Sequence, residues 1–335
     1  MTPDFLPPPD SSPRLMLTTP TKTVMVSVIM ALMTGIMAQI WHGGPWVLIQ
    51  CGLAAITALT AEATALILRG RPALPALMDG SAMVTAILLG LSVPCLAPWW
   101  IITLGTLFAI LLGKQVYGGL GHNPFNPAMV GYTILLISFP RQMTDWPVGH
   151  IPLDAVFRAI LQGGENFRPD AVAMATPLDA LRTGIFMRQT LPEASWTSAF
   201  VQGDGWINLG YLLGGLWLVK RKLADWRIPL SYLGALTGFA LIFHWADAAR
   251  YPDPGFHLLN GATMLGAFFI ATDPVSAATT PRGRWIYGAG IGVLVYVIRS
   301  WGGYPDGVAF AVLLMNLSAP TLDHFTRPRA YGHSR

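Results

Sequence analysis

Few side chains in this sequence are equipped for chemistry, and those that are stand far apart. Thr176 lies in a polar stretch from Arg141 to Gly205, six residues after the acid Asp170 and between the basic residues Arg168 and Arg182. Its local sequence, Thr176-Pro177-Leu178-Asp179, reads as a helix start. Threonine caps the orphan N–H groups, proline suits the first helical position, and an acid in the first turn faces the positive end of the dipole. Glu62 is the second candidate: a carboxylate inside an apolar run, seven residues before Arg69 and so about 10 Å along a helix axis from the end of the run. An intramembrane carboxylate is costly and points to a proton or sodium site; near an interface it equally fits a pair with Lys or Arg. Asp79, Asp273 and Asp306 stand beside glycine or proline at the ends of apolar runs and read as helix-end or turn residues. The seven histidines show no metal-ligand spacing, and no Walker loop, dinucleotide fingerprint or nucleophile elbow is present. Neither a catalytic side chain nor a metal site is therefore expected.

The elements that hold these residues are apolar. Of 335 residues, 53% are hydrophobic and only 11% charged, with a mean hydropathy of +0.50; soluble domains carry about 25% charge. The expected class is all-α and polytopic, in contact with a lipid bilayer. Met1 to Pro20 is rich in proline and polar residues, unlike a cleaved signal peptide. Apolar runs between turn residues predict ten spans, near 23–40, 46–68, 81–96, 99–113, 126–140, 206–220, 228–246, 258–273, 285–300 and 307–322. The chain then divides into a tail over 1–22, five helices over 23–140, a long loop over 141–205, five helices over 206–322, and a basic tail over 323–335. The basic residues are spread through membrane-flanking loops rather than gathered in a stripe, so no nucleic acid is expected. The two cysteines, Cys51 and Cys95, fall in apolar spans. They are too few for a typical iron–sulfur cluster and read as small buried hydrophobes.

Charge sets the orientation. With the N-terminus in the cytoplasm, fourteen of the 21 Lys and Arg residues fall in cytoplasmic segments. The short outer loops hold only Arg250 and Arg299, and the other five lie in the long central loop. That distribution satisfies the positive-inside rule. Both termini are expected inside and the Thr176 loop outside.

The two halves echo each other. Asp79-Gly-Ser-Ala-Met83-Val-Thr-Ala86 opens the third span and Asn260-Gly-Ala-Thr-Met264-Leu-Gly-Ala267 the eighth. Gly118-Gly-Leu-Gly-His-Asn-Pro124 precedes the fifth, and Gly302-Gly-Tyr-Pro-Asp-Gly307 the tenth. Each pair is five helices apart, which predicts a 5+5 inverted repeat. Broken backbone at membrane depth must be buried or face a cavity. Gly118, Gly119, Asn123, Asn126, Asn260, Gly302 and Gly303 either bring backbone donors to a planar ligand or let helices pack closely.

Gly118 to Tyr132, Gly261-Ala-Thr-Met-Leu-Gly-Ala-Phe-Phe-Ile-Ala-Thr-Asp-Pro274 and Trp301-Gly-Gly-Tyr-Pro-Asp-Gly-Val-Ala-Phe-Ala-Val-Leu-Leu-Met-Asn-Leu317 resemble the D component of the Rnf electron-transport complex, an ion-translocating oxidoreductase. That family also includes the B component of the sodium-pumping NADH:quinone reductase. The resemblance covers nearly the whole chain. It implies FMN joined by a phosphoester to the threonine of an Asp-x-x-Ser/Thr-Gly-Ala-Thr type sequence, installed by a flavin transferase. Asp170, Ala175 and Thr176 match that pattern, whereas Ala173 and Met174 depart from it. A phosphoester on a capping threonine places anionic oxygens where a helix N-terminus favours them. Arg168 and Arg182 either pair with that phosphate or remain solvated. Gly261-Ala262-Thr263 also spells the motif's end, but His257 replaces the acid and Thr263 lies in an apolar run; Thr263 is not the expected site.

The resemblance further implies a second, non-covalent flavin (riboflavin or FMN), expected near Gly118–Asn126 and Gly302–Asp306, including Asn123, Gly303 and Asp306. It implies an ion-translocating complex in the bacterial inner membrane that couples ferredoxin and NAD chemistry to a sodium or proton gradient. The implied partners are a flavinylated subunit facing outward and membrane iron–sulfur subunits, with any NADH chemistry done elsewhere in the complex. The flavins carry the redox step and the protein positions them. A 5+5 repeat with broken helices also fits a solute channel or transporter, since fold does not settle function, and a passive scaffold for partner subunits is a third reading.

Overall fold

The computed structural model describes residues 20–146, 153–162, 176–188, 195–304 and 306–327. Among them there are helices and no strands. In chain order these are α1 (Thr21–Gly43), α2 (Val47–Leu68), α3 (Ala73–Leu77), α4 (Ser81–Ser92), α5 (Trp99–Ile110), α6 (Pro127–Ser138), α7 (Pro140–Thr144) and α8 (Leu153–Gln162). There follow α9 (Pro177–Phe186), α10 (Trp196–Gln202), α11 (Asp204–Lys220), α12 (Arg227–Ala246), α13 (Pro254–Leu259), α14 (Thr263–Leu265), α15 (Pro281–Trp301) and α16 (Val308–Thr326). Two π-helical turns, Leu111–Gln115 and Gly266–Ile270, extend α5 and α14.

Helices α1, α2, α12 and α16 are each long and apolar enough to cross a membrane, and α4, α5 with its π turn, and α6 are shorter apolar helices. Their outward faces carry Met30, Met37, Ile56, Ile67, Leu230, Ile242 and Leu317, all exposed, as suits a lipid surround. In lipid, helices gain little from apolar contact and associate through close backbone approach. Gly214 of α11 lies against the Ala31 carbonyl of α1, and Gly131 of α6 against the Gly105 carbonyl of α5. Larger residues at those positions would force the pairs apart.

The polar segments sort to two ends. Val156 and Ile160 of α8 pack on Trp46, at the start of α2. The Trp196 N–H, opening α10, donates to Asp253. Helix α9 lays Leu178 and Leu181 on Phe256 of α13. The described parts of 141–205 thus cover the end where α2 begins. The Gly118 loop lies at the other end, where Arg71, past the end of α2, donates to the Gly118 carbonyl. The 22 residues of α2 separate the two ends by about 33 Å.

One expected element is broken. In place of a continuous helix over 258–273, α13 stops at Leu259 and the chain turns through Asn260 (φ −107°, ψ 153°) and Gly261 (φ +64°) before α14. Apolar periodicity could not show this, because the break is held by distant side chains. Asn208 of α11 donates to the Leu259 and Gly261 carbonyls and accepts from the Met264 N–H. The freed backbone groups are thereby satisfied inside the protein, as membrane depth requires.

Candidate functional site

Thr176 caps α9. Its backbone is extended (φ −63°, ψ 157°), its Oγ1 accepts from the Asp179 N–H at 3.2 Å, and its hydroxyl donates to Asp179 Oδ2 at 3.0 Å. Thr176 itself is half-buried. Asp170 and Arg168, expected to accompany it, lie outside the described residues.

Helix α9 is docked through two of its side chains, one on the broken segment and one on the Gly302–Gly303 loop. Leu178 meets Gly261, where an added Cβ would come within 2.6 Å of it. Arg182 Nη1 donates to the Gly303 carbonyl at 2.5 Å, so this guanidinium, six residues from Thr176, ties the helix to the Gly302–Gly303 loop rather than facing the capping hydroxyl. Beneath both lies Arg299, which is fully buried. It donates to the His257 carbonyl (2.8 Å), the Asn260 carbonyl (3.4 Å) and Asp306 Oδ1 (3.2 and 3.1 Å). Asp306 completes the arrangement by accepting from the N–H groups of Ala262 and Val308. The charge pattern puts Arg299 in a short outer loop. It lies instead within α15, as the span 285–300 had it, and is buried because carbonyls at the helix break need a donor. Asp306 is more than a turn residue for the same reason.

At the opposite end the Gly118 loop forms a second site. Gly118 and Gly119 have φ of +115° and +106°, a region costly for residues with a Cβ. Asn126 caps α6, accepting from Met129 N–H at 3.3 Å, and its Nδ2 donates to the Ile270 carbonyl at 3.4 Å. Asn123 donates to the Phe125 carbonyl while its buried Oδ1 has no partner. These asparagines line a cavity of about 70 Å³ together with Ser81, Lys114, Phe268 and Asp273. Asp79 and Asp273 are turn residues, accepting respectively from Ser81 N–H and from Val275 N–H.

The two glycine-rich loops do not share one pocket, but they approach one element from opposite ends. Val308, just after the Gly302 loop, packs on Gly266, while Asn126 bonds to Ile270, at the other end of the same π turn. Glu62 is buried beside Lys114, with Oε1 2.6 Å from Nζ, and accepts from Gln115 Nε2 at 2.7 Å. The partner that the sequence reading left open for Glu62 is Lys114.

Sequence reasoning missed Lys114, Arg299 and Asn208 as site residues. A signal existed for the first two: a cation stands shortly before Gly-Gly in each half, Lys114 ahead of Gly118-Gly119 and Arg299 ahead of Gly302-Gly303. No comparable pattern marks Asn208.

Residues 9–332 match the model of the NQR2, RnfD, RnfE family. Among similar curated proteins is the D component of the ion-translocating oxidoreductase complex of Yersinia enterocolitica, 52% identical over 334 residues that cover 94% of this chain and 95% of the relative. The protein of the same name from Aeromonas hydrophila is 52% identical over 338 residues, with 94% and 95% covered. That from Sodalis glossinidius is 49% identical over 329 residues, with 93% and 95% covered.

Proposed function

The chain belongs to the NQR2, RnfD, RnfE family, and on that premise we propose that it is the D component of a redox-driven ion translocase, carrying FMN on Thr176. The observation that carries the assignment is the docking of a capped helix, with its hydroxyl at the N-terminus, on a buried Arg299–Asp306 seat. A phosphoester at Thr176 Oγ1 fits that geometry, since the first-turn N–H groups and the dipole favour anionic oxygens. Asp179 holds the hydroxyl proton and is placed to receive it when the oxygen becomes an ester.

A bound flavin supplies the capacity to take up and release electrons, and the protein supplies position. Leu178 and Leu181 anchor α9 on Phe256. Arg182 fixes its far side through Gly303. Thr176 then has little freedom to move relative to the bundle, which keeps a transfer distance constant. A second, non-covalent flavin is assigned to the neighbourhood of Asn123 and Asn126, where the cavity of about 70 Å³ must widen to take its ring system. The unpartnered Asn123 Oδ1 is an acceptor suited to a ring N–H, and Phe268 and Phe269 provide apolar walls. The Gly302–Asp306 loop belongs to the Thr176 seat on this reading.

The proposed setting is the bacterial inner membrane. Ten spans form a 5+5 inverted repeat, with both termini in the cytoplasm and Thr176 outside. Electrons arrive from another flavinylated subunit on the outer side and return toward membrane iron–sulfur subunits, driving sodium or proton movement. A flavin transferase loads Thr176 during maturation.

In-gel ultraviolet fluorescence of the denatured protein tests the assignment, with wild type and Thr176→Val each co-expressed with a flavin transferase. A fluorescent wild-type band and a dark Thr176→Val band are expected. A dark wild-type band would show that Ala173 and Met174 disable the signal and would bring the solute-pathway reading forward.

A further inference from the structure

Helices α2 and α11 end in the same kind of turn, with different residues at its centre. After α2, the N–H groups of Gly70 and Arg71 donate to the Ile67 and Leu66 carbonyls. After α11, those of Lys222 and Leu223 donate to the Val219 and Leu218 carbonyls. Both are Schellman closures, whose central residue takes a left-handed backbone and is most often glycine. Gly70 (φ +65°) meets that demand, whereas Lys222 (φ +59°) carries a Cβ into a region that disfavours it. Leu223 packs on the core and holds the turn closed. A strained backbone at an exposed lysine calls for a reason.

The turn lies at the end of the bundle that holds the Gly118 loop, since Leu223 and Ala224 line the same cavity as Asn123. Its surroundings are cationic. Lys220, Arg221 and Lys222 are consecutive and exposed, and Arg282 is exposed at the start of α15. Arg227 and Arg284 share Asp225, while Asp323 is turned to the Thr279 and Thr280 N–H groups. Among the described residues, none of Lys220, Arg221, Lys222 and Arg282 is paired with an acid. Beside the cations stands an aromatic layer. Arg221 lies over the Trp217 ring and Arg227 over Trp226, at 4.9 and 5.3 Å from the centroids. Trp226 meets Trp285 edge-on at 5.6 Å, and both rings are exposed, as are Leu216, Leu230 and Ile286. Leu216 and Leu230 stand about one turn into their helices, from Lys220 and Trp226 respectively. Cations, then indoles, then aliphatic side chains follow the order of headgroup, interface and acyl chain.

We infer that Lys222, with Lys220, Arg221 and Arg282, binds the phosphodiester of an anionic phospholipid whose acyl chains lie along Leu216, Leu230 and Ile286. Lysine suits the role as a point charge on a flexible stem that can reach a phosphate. A soluble phosphate would use the cations but leave the exposed indoles and aliphatic side chains uncovered. Charges that only orient the chain during insertion are counted wherever they stand in the flanking segment, so orientation alone gives no reason for a lysine in a left-handed backbone. The negative end of the α11 dipole is already met by Lys220 and Arg221.

The test uses the full-length chain, delipidated in detergent, and measures binding of phosphatidylglycerol and of phosphatidylcholine by native mass spectrometry. It compares wild type, Lys222→Arg, Lys222→Gly and Lys222→Gly/Leu74→Lys. Wild type and Lys222→Arg are expected to bind phosphatidylglycerol in clear preference to phosphatidylcholine. Lys222→Gly is expected to bind phosphatidylglycerol about fivefold more weakly, the effect of one surface cation on an anionic headgroup. Glycine also relieves the turn, so the unfolding midpoint of Lys222→Gly without anionic lipid should equal or exceed that of wild type, and its weaker binding cannot then be a loss of fold. Leu74 is exposed on α3, which packs on α2. A lysine there restores the net charge without rebuilding the site, and the double variant is expected to bind as weakly as Lys222→Gly. Recovery in the double variant would overturn the inference in favour of a diffuse field. A wild type without preference for phosphatidylglycerol, or a preference that Lys222→Gly leaves intact, would also overturn it and leave the cluster to an acidic face of a partner subunit. Displacement of the lipid by an equal concentration of inorganic phosphate would overturn it too, leaving a site for a soluble anion.

Discussion

Arg299→Met is the substitution that most directly probes the seat under Thr176. Methionine keeps much of the volume but removes a guanidinium making four hydrogen bonds. It takes a donor from Asp306 and from the His257 and Asn260 carbonyls, which keep the Ala262 and Val308 N–H groups and the Thr263 hydroxyl. Breaking a buried pair by removing one partner costs about 3–5 kcal/mol. The Asp306 side chain is 20% exposed, so water recovers part of its solvation and the lower figure applies. A loss of about 3 kcal/mol lowers the unfolding midpoint of a chain of 335 residues by roughly 4 °C. Arg299→Lys keeps the charge but cannot reproduce the fork that spans two carbonyls and a carboxylate, and should cost about 1–2 kcal/mol. Asp306→Asn strands the guanidinium and should be as damaging as Arg299→Met. The double variant should recover part of the loss, because contacting residues are not additive. The assay is thermal unfolding of the detergent-held protein, joined to hydrogen exchange over 177–186. Those amides should exchange faster in Arg299→Met, since Leu178 docks on the segment that Arg299 holds and Arg182 on the neighbouring Gly303 loop. A midpoint within about 1 °C of wild type, with unchanged exchange over 177–186, would refute the reasoning, since even the weaker Lys variant should shift further.

Helix packing gives a paired test: Gly214→Ala, whose methyl would strike the Ala31 carbonyl, should destabilise by about 1–3 kcal/mol. Gly238→Ala, with open space around it, should be neutral or gain up to about 1 kcal/mol from helix propensity, and urea or thermal melts read both. At the loop between α11 and α12, burial alone would raise the Asp225 carboxyl, but the Arg227 N–H and the Arg284 and Arg227 guanidiniums outweigh it and hold the group below its usual range. A depressed carboxyl stabilises above the unfolded pKa, about 4, and loses that contribution as pH falls through the folded value. The melting midpoint should therefore fall on acidification, less steeply in Asp225→Asn than in wild type. In the cavity, Asn123→Leu should cut non-covalent flavin recovered in a denaturing extract at least several-fold while leaving in-gel covalent fluorescence unchanged; equal recovery would remove the flavin from that cavity.

What could be read in advance followed from local chemistry. The helical class and the start of α9 were legible because composition, the Thr-Pro-x-Asp cap and apolar run length act over a few residues. Most expected spans coincide with helices to within a few positions, such as 46–68 with Val47–Leu68 and 126–140 with Pro127–Ser138. The break at Asn260–Ala262 was not legible, since Asn208 and Arg299, which sustain it, are 53 and 39 residues from the carbonyls they bind. Arg299 itself reads as a loop residue because a charge near the end of an apolar run satisfies the positive-inside pattern wherever its side chain points. Only the packing reveals that it is fully buried. Lys114 likewise reads as a flanking charge, although its stem turns inward to Glu62. Long-range partners, not local propensity, decide all three.

The central claim is that Thr176 bears the flavin. The most direct measurement is mass spectrometry of the tryptic peptide ending at Arg182, taken from protein matured with a flavin transferase. A mass increase equal to FMN less one water is predicted, with fragment ions placing it on Thr176. An unmodified peptide, or an adduct mapped to any other residue, would contradict it.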